Sequence, residues 1–520
     1  MRPWNLVILC LAACLAGCNP APKYDRPDAP VPAQWPGAEV DASEKGESGL
    51  KEQKVRRSEG EKVSVEEGKT VRPSDLLNFS PSRSDSPSSN ATNAPQATDL
   101  TWREFFADEK LRRLVEIALR NNRDLRLAAL NVERACAMYN IQRAELWPTV
   151  DATASGLKKR VPADLSSTGK RHTAEQYSVD LGTASWELDF FGRIRSLKQS
   201  ALQEYLATEQ ARRGAQILLV SAVANAYLVL AADRESLALA QTTLTTQQDS
   251  YNLIKRSHDR DLASDLDLYR AQTQVDAARG DIAYFTQAVA QDENALNFLL
   301  GGPAPDDLLS PVLSDVVGPK EIAAGLSSNV LLRRPDVLQA ESLLRAACAN
   351  IGAARAALFP RVSLTASVGT ASSELSGLFE SGSGAWAFAP QARMPIFDTR
   401  AWQAIKVTKV QRQIALTQYG QAIQNAFREV ADALAVRGAV DERVSAQQSL
   451  VDAVAQTYRL SYARYDKGID SYLGVLDAQR SLYAARQGLV SLRLAKLASQ
   501  VRLYAVLGGG GDDPADGTEH

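Results

Sequence analysis

The sequence predicts a mainly α-helical protein with a β-barrel portion, built from a unit of helix, β-hairpin and long helix that occurs twice. Three observations predict this class: an internal repeat, two long stretches without proline, and pairs of short segments in which apolar and polar residues alternate. In the repeat, residues 124–155 match residues 336–367, including an Ala-Cys-Ala triplet and a Leu-aromatic-Pro end. A duplicated unit within 520 residues predicts one elongated body rather than several separate domains.

The N-terminus predicts a secreted lipoprotein. Residues 1–17 combine Arg2 with an apolar run that is too short to span a bilayer, which is typical of a signal peptide. The tetrad Leu-Ala-Gly-Cys that ends at Cys18 is similar to a bacterial lipobox, whose cysteine is acylated; the alternative is a chance cysteine in an ordinary signal. Asn19 favours the outer membrane over the inner one, and residues 18–36 would form the lipidated tether.

Two segments lack the apolar residues that a folded core needs. Residues 37–98 are rich in Glu, Lys, Ser and Gly, so we expect a disordered insert there, and residues 509–520 predict a disordered tail. The formal net charge of -2 gives no basic field for nucleic acid, and the 3 histidines are far apart in the sequence. We therefore expect no cofactor, no metal site and no nucleic-acid partner.

Cys136 and Cys348 remain once the signal peptide is removed, and they occupy equivalent positions of the repeat in an oxidising compartment. One interpretation is a disulfide or a shared metal ion. We favour the other interpretation, two small buried apolar side chains at matching packing positions, because positions related by pseudosymmetry need not be adjacent.

Each repeat is predicted to contain two strands and two long helices. The first repeat spans 99–308 and the second spans 309–508. Pro148 and Pro360 end the preceding helices, and alternation of apolar and polar residues follows each of them. The predicted strands are ~149–160, ~176–187, ~361–370 and ~385–394, and the predicted long helices are ~193–257, ~264–300, ~400–466 and ~471–506.

Proline is absent between Pro162 and Pro303 and between Pro395 and Pro514, so the first long helix of each repeat can run without a break. At about 1.5 Å per residue each helix would be roughly 100 Å long, which no globular domain needs. Alanine-rich stripes would let such helices pack closely, as in a coiled-coil wall. The core of an all-round helical bundle explains the stripes equally well.

The hairpins decide between these two architectures. Each strand has about the 10 residues that a tilted transmembrane β-strand needs. Trp147, Trp186, Phe359 and Trp386 lie near strand ends, where the aromatic girdle of a membrane interface is expected. Because four strands cannot close a barrel and open edges are not tolerated in lipid, we expect a homotrimer with a transmembrane barrel of about 12 strands. A periplasmic α-helical barrel would continue it, which predicts a conduit from the outer membrane into the periplasm.

The chain resembles the outer-membrane efflux proteins of the TolC/OprM group, and in particular their lipoprotein branch. The resemblance covers roughly 99–508 and is carried by a combination of motifs. They are the lipobox followed by Tyr24 and Pro27, Trp-Arg-Glu-Phe-Phe at 102–106, Asn-Asn-Arg-Asp-Leu-Arg at 121–126, Ser-Trp-Glu-Leu-Asp-Phe-Phe-Gly at 185–192, Leu-Arg-Arg-Pro-Asp-Val at 332–337 and the segment 465–480. The resemblance implies a trimeric channel docked by a periplasmic adaptor protein, which links it to an inner-membrane pump, commonly of the RND class.

The turns that connect the long helices form two helix tips. At the second tip, Gly468 can end one helix in a left-handed conformation, and Asp470 or Ser471 can cap the next helix. In the family these tips close the periplasmic entrance, and the resemblance implies that they contact the adaptor. The residues concerned are Gly468, Asp470 and Ser471 at the second tip and Ser264, Asp265 and Leu266 at the first.

The resemblance also implies a gate at the periplasmic end. Leu473 and Asp477 match positions where a leucine ring and an aspartate ring narrow the pore of OprM-like channels, and Tyr465 matches a gate tyrosine. Three Asp477 carboxylates close together would repel one another, so other contacts would have to hold the ring shut. The alternative is that Asp477 faces solvent in the first turns of a helix, where a carboxylate suits the helix dipole.

We therefore expect a passive exit duct in the outer membrane, lipid-anchored and without enzymatic activity, whose specificity belongs to its pump. A type I secretion duct is one alternative. A periplasmic adaptor lipoprotein should instead show a lipoyl-like β-domain around a single helical hairpin. An envelope hydrolase would need a catalytic base, for which the scattered histidines give no candidate.

Overall fold

The computed structural model describes residues 21–32, 100–322 and 328–509. The predicted signal peptide, Cys18, the 37–98 insert and nearly all of the C-terminal tail lie outside the described residues. In chain order the described helices and strands are α1 (Trp102–Phe105), α2 (Glu109–Asn121), α3 (Arg123–Ala144), β1 (Asp151–Val161), β2 (His172–Leu188), α4 (Arg193–His258), α5 (Asp265–Leu300), α6 (Pro335–Ala356), β3 (Arg361–Ser372), β4 (Gly384–Arg393), α7 (Thr399–Asp466) and α8 (Tyr472–Val506).

The two longest helices are α4, with 66 residues, and α7, with 68 residues. At about 1.5 Å per residue each extends roughly 100 Å. Gly192 precedes α4 in the left-handed region, with φ 75, and Asp398 caps α7 by accepting a hydrogen bond from the backbone N–H of Arg400 at 3.0 Å. Each long helix turns back into a shorter antiparallel partner, α5 or α8.

The strands form one antiparallel sheet in the order β1-β2-β3-β4, which leaves β1 and β4 at its edges. The start of β2 was predicted near 176, but the strand begins at His172 because it remains paired with β1 as far as Val161. The pairing of β2 with β3 shifts register between Thr183 and Trp186, as in a β-bulge, and Ser185 has φ 59 within it.

The helices form a layer that continues the sheet. Helices α3, α4, α6 and α7 lie side by side in the order of the strands, while α5 packs on α4 and α8 packs on α7. The main core lies where α1, α2 and the ends of α5 and α8 cover the middle of the long helices. There the rings of Phe105 and Tyr504 stack at 4.0 Å between centroids.

Within the described residues, α4 is long and apolar enough to cross a membrane by length and composition alone. However, 61% of its most apolar 18-residue stretch is buried inside the protein. Val223, Ala224 and Tyr227 in this region belong to the main core. The apolarity of α4 therefore reflects helix packing.

Residues 21–32 form a strap that lies against the second repeat. Its central contact is Glu341 on α6, which accepts hydrogen bonds from the Tyr24 hydroxyl at 3.0 Å and from Nε of Arg26 at 3.0 Å. A second guanidinium nitrogen of Arg26 also pairs with this carboxylate, and Arg345 donates to it from the next helical turn at 2.7 Å. Glu341 is 2% exposed, whereas both arginines are partly exposed, so a buried carboxylate with two partly solvated partners holds the strap.

Cys136 and Cys348 are both free cysteines. The disulfide interpretation is therefore wrong. Cys348 is buried on α6, as predicted. Cys136 is only half-buried on α3, so the prediction of a buried thiol is confirmed in the second repeat but not in the first.

Candidate functional site

The sheet has one apolar face and one polar face. Directly opposed residues of an antiparallel pair share a face, and successive residues of a strand alternate between faces, so the register assigns each position. In the part of the sheet nearer the helices, the apolar face contains Ala152, Ala154, Val179, Leu181, Leu364, Ala366, Val368, Trp386 and Phe388, with Thr183 and Thr370 among them. Towards the β1–β2 hairpin the same face carries the ion pair of Lys158 with Glu175. The polar face contains Thr153, Ser155, Ser178, Asp180, Ser363, Thr365, Ser367 and Gln391. A strand with these two faces suits a barrel with lipid outside and water inside.

The four predicted interface aromatics lie at two levels of the sheet. Trp147 and Phe359 lie in the connections that precede β1 and β3, and Trp186 lies on β2 near the same end, opposite Leu364. Trp386 lies towards the other end, on β4 near the hairpin loop. Trp147 is 71% exposed and Trp386 is 79% exposed, so both rings are available to an apolar surrounding.

Sequence reasoning missed two apolar residues in the connection from β4 to α7. Ile396 and Phe397 are 86% and 89% exposed. In the equivalent connection from β2 to α4, Phe191 stacks on Phe359 with 4.9 Å between ring centroids and 12° between ring planes. Aligning α4 with α7 by their 207-residue shift would have identified Phe397, because it falls on Phe190, the neighbour of Phe191.

The first helix tip joins α4 to α5. Ser264 caps α5 in a reciprocal capping box: its hydroxyl oxygen accepts from the backbone N–H of Asp267, and the Asp267 carboxylate accepts from the backbone N–H of Ser264. The Asp265 carboxylate lies 2.7 Å from Nε2 of His258 and accepts a hydrogen bond from it. This contact joins the end of α4 to the start of α5. Leu262 and Leu266 are exposed on this tip.

The second helix tip joins α7 to α8 through Gly468, which has φ 69 as predicted for a left-handed helix end. Ser471 occupies the N-cap position of α8, one of the two positions predicted for it, but its side chain makes no capping hydrogen bond, so the predicted side-chain cap is absent. Asp470 instead pairs with Arg464 near the end of α7, at 3.1 Å from Nη2. The Arg464 guanidinium lowers the pKa of Asp470, so this carboxylate keeps its charge.

The predicted gate residues divide into two groups. Leu473 and Asp477 lie one turn apart on an exposed stripe of α8. Tyr465 points the other way, with its ring 4.8 Å from that of Tyr472, in a cluster that joins both tips. The sequence analysis missed Arg480. Its guanidinium donates a hydrogen bond to the Asp477 carboxylate at 2.5 Å from the next helical turn. A rule of charged pairs at i and i+3 on a helix would have found it.

The second tip hairpin is fastened to the first repeat above the gate. The hydroxyl of Tyr483 on α8 donates to Asp281 on α5 at 2.9 Å. A cavity of about 210 Å³ lies beside Tyr483 between α4, α7 and α8. Gln479 lines this cavity, and within the described residues neither polar atom of its buried amide has a hydrogen-bond partner.

A pair of carboxyl groups lies between α4 and α5 in the first repeat. Burial raises the pKa of Asp292 to about 6, and the neighbouring Asp233 adds to this shift. Burial also raises the pKa of Asp233. Because the two groups face each other, they titrate as a pair and share a proton more readily than isolated carboxylates do.

Comparison with known proteins finds relatives that match this chain over nearly its whole length. The model of the outer membrane efflux protein family matches residues 114–302 and 326–509. The toluene efflux pump outer membrane protein TtgC of Pseudomonas putida is 44% identical over 497 residues, which cover 95% of this chain and 93% of the relative. The cation efflux system protein CusC of Escherichia coli is 38% identical over 511 residues, covering 98% of this chain and 100% of the relative.

Solved structures give the same result. The open state of the Neisseria gonorrhoeae MtrE outer membrane channel has a TM-score of 0.77 and 35% identity, over 95% of this chain and 98% of that one. The predicted class, mainly helical with a β portion and TolC-like, is confirmed by this likeness. The predicted location in the outer membrane, extending into the periplasm, and the predicted efflux function are confirmed by the relatives. With both repeats matched, this chain belongs to the outer membrane efflux protein family.

Proposed function

We propose that three copies of this chain form a passive exit duct through which solutes leave the periplasm across the outer membrane. The observation that carries this proposal is the sheet, which has an apolar and a polar face and two free edges. A single copy leaves the outer edges of β1 and β4 unpaired, which lipid does not tolerate. Three copies joined edge to edge give a closed barrel of about 12 strands.

The helical layer supports the same assembly. Helices α3 and α7 are the outer members of the layer, as β1 and β4 are of the sheet. No residue of α3 is buried in a single chain, and its large apolar residues Leu127, Met138 and Ile141 are exposed. An exposed apolar helix face indicates a missing partner, and α7 of a neighbouring copy can supply it.

The apolar face of the sheet would contact lipid. Trp386 would lie towards the outer surface, and Trp147, Trp186 and Phe359 would lie at the periplasmic level, where amphipathic rings anchor a barrel. An acylated Cys18 would add a second anchor in the periplasmic leaflet. It is followed closely by the strap, so the anchor would be tied to the second repeat.

Partners follow from the position of the duct. The pump outer-membrane proteins among the relatives belong, by their names, to systems that expel toluene or cations. We assign this chain the same place in a tripartite system, with a periplasmic adaptor at the helix tips and an inner-membrane pump of the RND class. The adaptor would contact the tip residues Ser264, Asp265, Leu266, Gly468, Asp470 and Ser471. Aromatic solvents, antibiotics or metal cations would be chosen by the pump and would pass the duct without chemical change.

The gate of this duct would be the exposed stripe of α8. Leu473 and Asp477 would face the pore, with Arg480 supplying a counter-charge to each aspartate. Tyr465 would hold the closed arrangement from behind, because its ring packs on Tyr472 at the junction of the two tips. Three copies would then bring three Asp477–Arg480 pairs together, which repel one another less than three bare carboxylates.

Native mass spectrometry of the full-length protein, extracted from membranes in detergent, tests the proposal. A trimer that carries lipid mass on Cys18 is the expected result. A stable monomer would leave the outer edges of β1 and β4 unpaired and would overturn the shared barrel. A trimer that co-purifies with an ATP-driven exporter instead of an RND pump would favour the type I secretion alternative.

A further inference from the structure

The seam between the two repeats of one chain has a specific aromatic contact at the level where the sheet meets the helices. Phe191 follows β2 and Phe359 precedes β3. Their rings are parallel to within 12° and their centroids are 4.9 Å apart. This offset stacked geometry is the favourable one for two aromatic rings.

The internal duplication supplies an equivalent for each member of this stack. Trp147 lies in the Leu-Trp-Pro connection before β1, and Phe359 lies in the matching Leu-Phe-Pro connection before β3. Phe397 lies in the connection before α7, which matches the connection before α4, and the 207-residue shift that relates α4 to α7 places it on Phe190, next to Phe191. Trp147 therefore corresponds to Phe359, and Phe397 is the aromatic residue of the connection that corresponds to the one holding Phe191.

Within one chain Trp147 and Phe397 cannot meet. Trp147 belongs to the β1 edge of the sheet and Phe397 to the β4 edge, with two strands between them. Both rings are exposed, at 71% for Trp147 and 89% for Phe397. Phe191, in contrast, is half-buried by its contact with Phe359.

We propose that Phe397 of one copy stacks on Trp147 of the next copy at each boundary of the assembly. The partner is a second copy of this chain, because only the first repeat of another copy presents the connection that Phe397 would meet. The proposal rests on the proposed trimer, and it adds the contact that fixes how neighbouring copies register. Edge pairing alone allows a strand to slip, whereas a ring stack beside the last strand residues admits one register.

The neighbouring helices agree with this placement. Inside the chain α4 packs along α6 next to the Phe191–Phe359 stack. The equivalent pair across a boundary is α7 with α3 of the next copy, and α3 has no buried residue in a single chain. The same rotation that brings Phe397 onto Trp147 therefore covers the exposed apolar residues of α3, among them Ile141.

Cysteine cross-linking tests the contact. In a background with Cys136→Ala and Cys348→Ala, the double variant Trp147→Cys/Phe397→Cys is treated in membranes with a short bifunctional thiosulfonate. We expect covalent dimers and trimers on a denaturing gel, reversed by reductant. Single variants at either position should remain monomers, because one thiol has no partner.

The matched control is the internal pair Phe191→Cys/Phe359→Cys in the same background. It should react equally well but remain a monomer on the gel, with only a shift in mobility, because its link lies inside one chain. A trimer by native mass spectrometry whose internal pair reacts while the boundary pair stays monomeric would overturn the stack and leave the duct intact. A protein that is monomeric by native mass spectrometry would overturn both proposals.

A second measurement does not depend on thiol chemistry. Phe397→Ala should lower the temperature at which the trimer dissociates in detergent, and Phe397→Tyr should restore most of it because the ring is retained. Both variants should keep the helical content of the wild type, since Phe397 is exposed in the single chain. Equal dissociation temperatures for Phe397→Ala and wild type would contradict the stack.

Discussion

The two repeats share one plan but differ most in the burial of the helix that precedes each β-hairpin, α3 in the first repeat and α6 in the second. Helix α6 of the second repeat contains eleven buried residues, from Pro335 to Ala356, whereas α3 of the first repeat contains none. The difference lies in position and not in the type of helix, because α6 lies between α4 and α7 while α3 has α4 on one side only. The packing of α6 between α4 and α7, inside one chain, thus shows the helix contact that α3 lacks at the outer edge of the layer.

The repeats also differ in what lies on that helix. The strap docks on α6 through Glu341, Arg345 and Gly352, and the matching residues of α3 are Ala129, Glu133 and Asn140. A Cβ at Gly352 would lie 2.7 Å from Ala21 and 2.8 Å from the Ser196 hydroxyl, so the strap needs glycine there. The first repeat has neither the acceptor nor the space, and the strap therefore has one binding place per chain.

Removing that acceptor should give the largest effect. Glu341→Ala should lower the free energy of unfolding by about 2 kcal/mol, because Tyr24, Arg26 and Arg345 lose a buried partner, although both arginines can regain water. The strap should become accessible to trypsin at the Lys23–Tyr24 bond, measured by limited proteolysis of the detergent-solubilised protein. Glu133→Ala, an exposed carboxylate on α3, is the matched control and should change neither quantity.

The same cluster sets a pH dependence. Burial alone would raise the pKa of Glu341, but hydrogen bonds from Arg26 and Tyr24 and the charge of Arg345 outweigh it, so the pKa lies below its ordinary value. The stabilisation is therefore present above about pH 4.3 and is lost as the pH falls through the lower folded pKa. Strap release that occurs on raising the pH from 5 to 8 would contradict this assignment.

A smaller effect is expected from the acid pair of the first repeat. The positions that match Asp233 and Asp292 in the second repeat are Val440 and Ser499, so only the first repeat has this pair. The folded pKa of Asp292, at about 6, lies above its ordinary value. The folded protein thus holds a proton that the unfolded chain releases, and stability falls as the pH rises from about 4 to 6.

Asp292→Asn should remove this fall. Above pH 6 the variant should be more stable than the wild type by about 1 kcal/mol, less than a fully buried pair would give because both carboxyl groups are half-exposed to water. Thermal unfolding at pH 4.5, 6 and 7.5 measures it, and Asp452→Asn on the exposed face of α7 is the control. Parallel curves for Asp292→Asn and wild type would mean that the two carboxyl groups do not share a proton.

The sequence predicted those parts of the fold that depend on local signals. Long proline-free stretches predicted α4 and α7, Gly468 predicted the left-handed end of α7, and alternation predicted four strands. The strap could not be predicted in the same way, because its contact joins Arg26 to Glu341 across most of the chain. The N-cap position of α8 was predicted correctly at Ser471, but the sequence did not show that Asp470 pairs with Arg464, a charge-assisted contact that outweighs a backbone donor in an exposed turn.

The candidate site shows the same limit. Leu473 and Asp477 were predicted by resemblance, and their position on one exposed stripe agrees with a role in the pore. Arg480 was missed although it lies within one helical turn of Asp477. Phe397 was missed because its proposed partner belongs to another copy, so no pattern within one chain except the repeat itself points to it.

The gate offers the last contrast between the repeats. Leu266 and Leu473 occupy equivalent places after the two tips, but Asp477 in the second repeat corresponds to Arg270 in the first. If both stripes face the entrance, the trimer has alternating basic and acidic positions there. Asp477→Ala would remove three negative charges and leave Arg480 and Arg270, which shifts the field at the entrance towards anions.

We therefore expect Asp477→Ala to change single-channel conductance in planar bilayers and to weaken block by divalent cations, with almost no change in the free energy of unfolding, since its pair with Arg480 is exposed. Asp276→Ala is the matched control, because Asp276 forms the same type of exposed i and i+3 pair with Arg279 on α5, at 3.4 Å. Wild-type conductance and block in both variants would remove Asp477 from the pore. Equal changes in both would show that the effect comes from net charge and not from a ring at the gate.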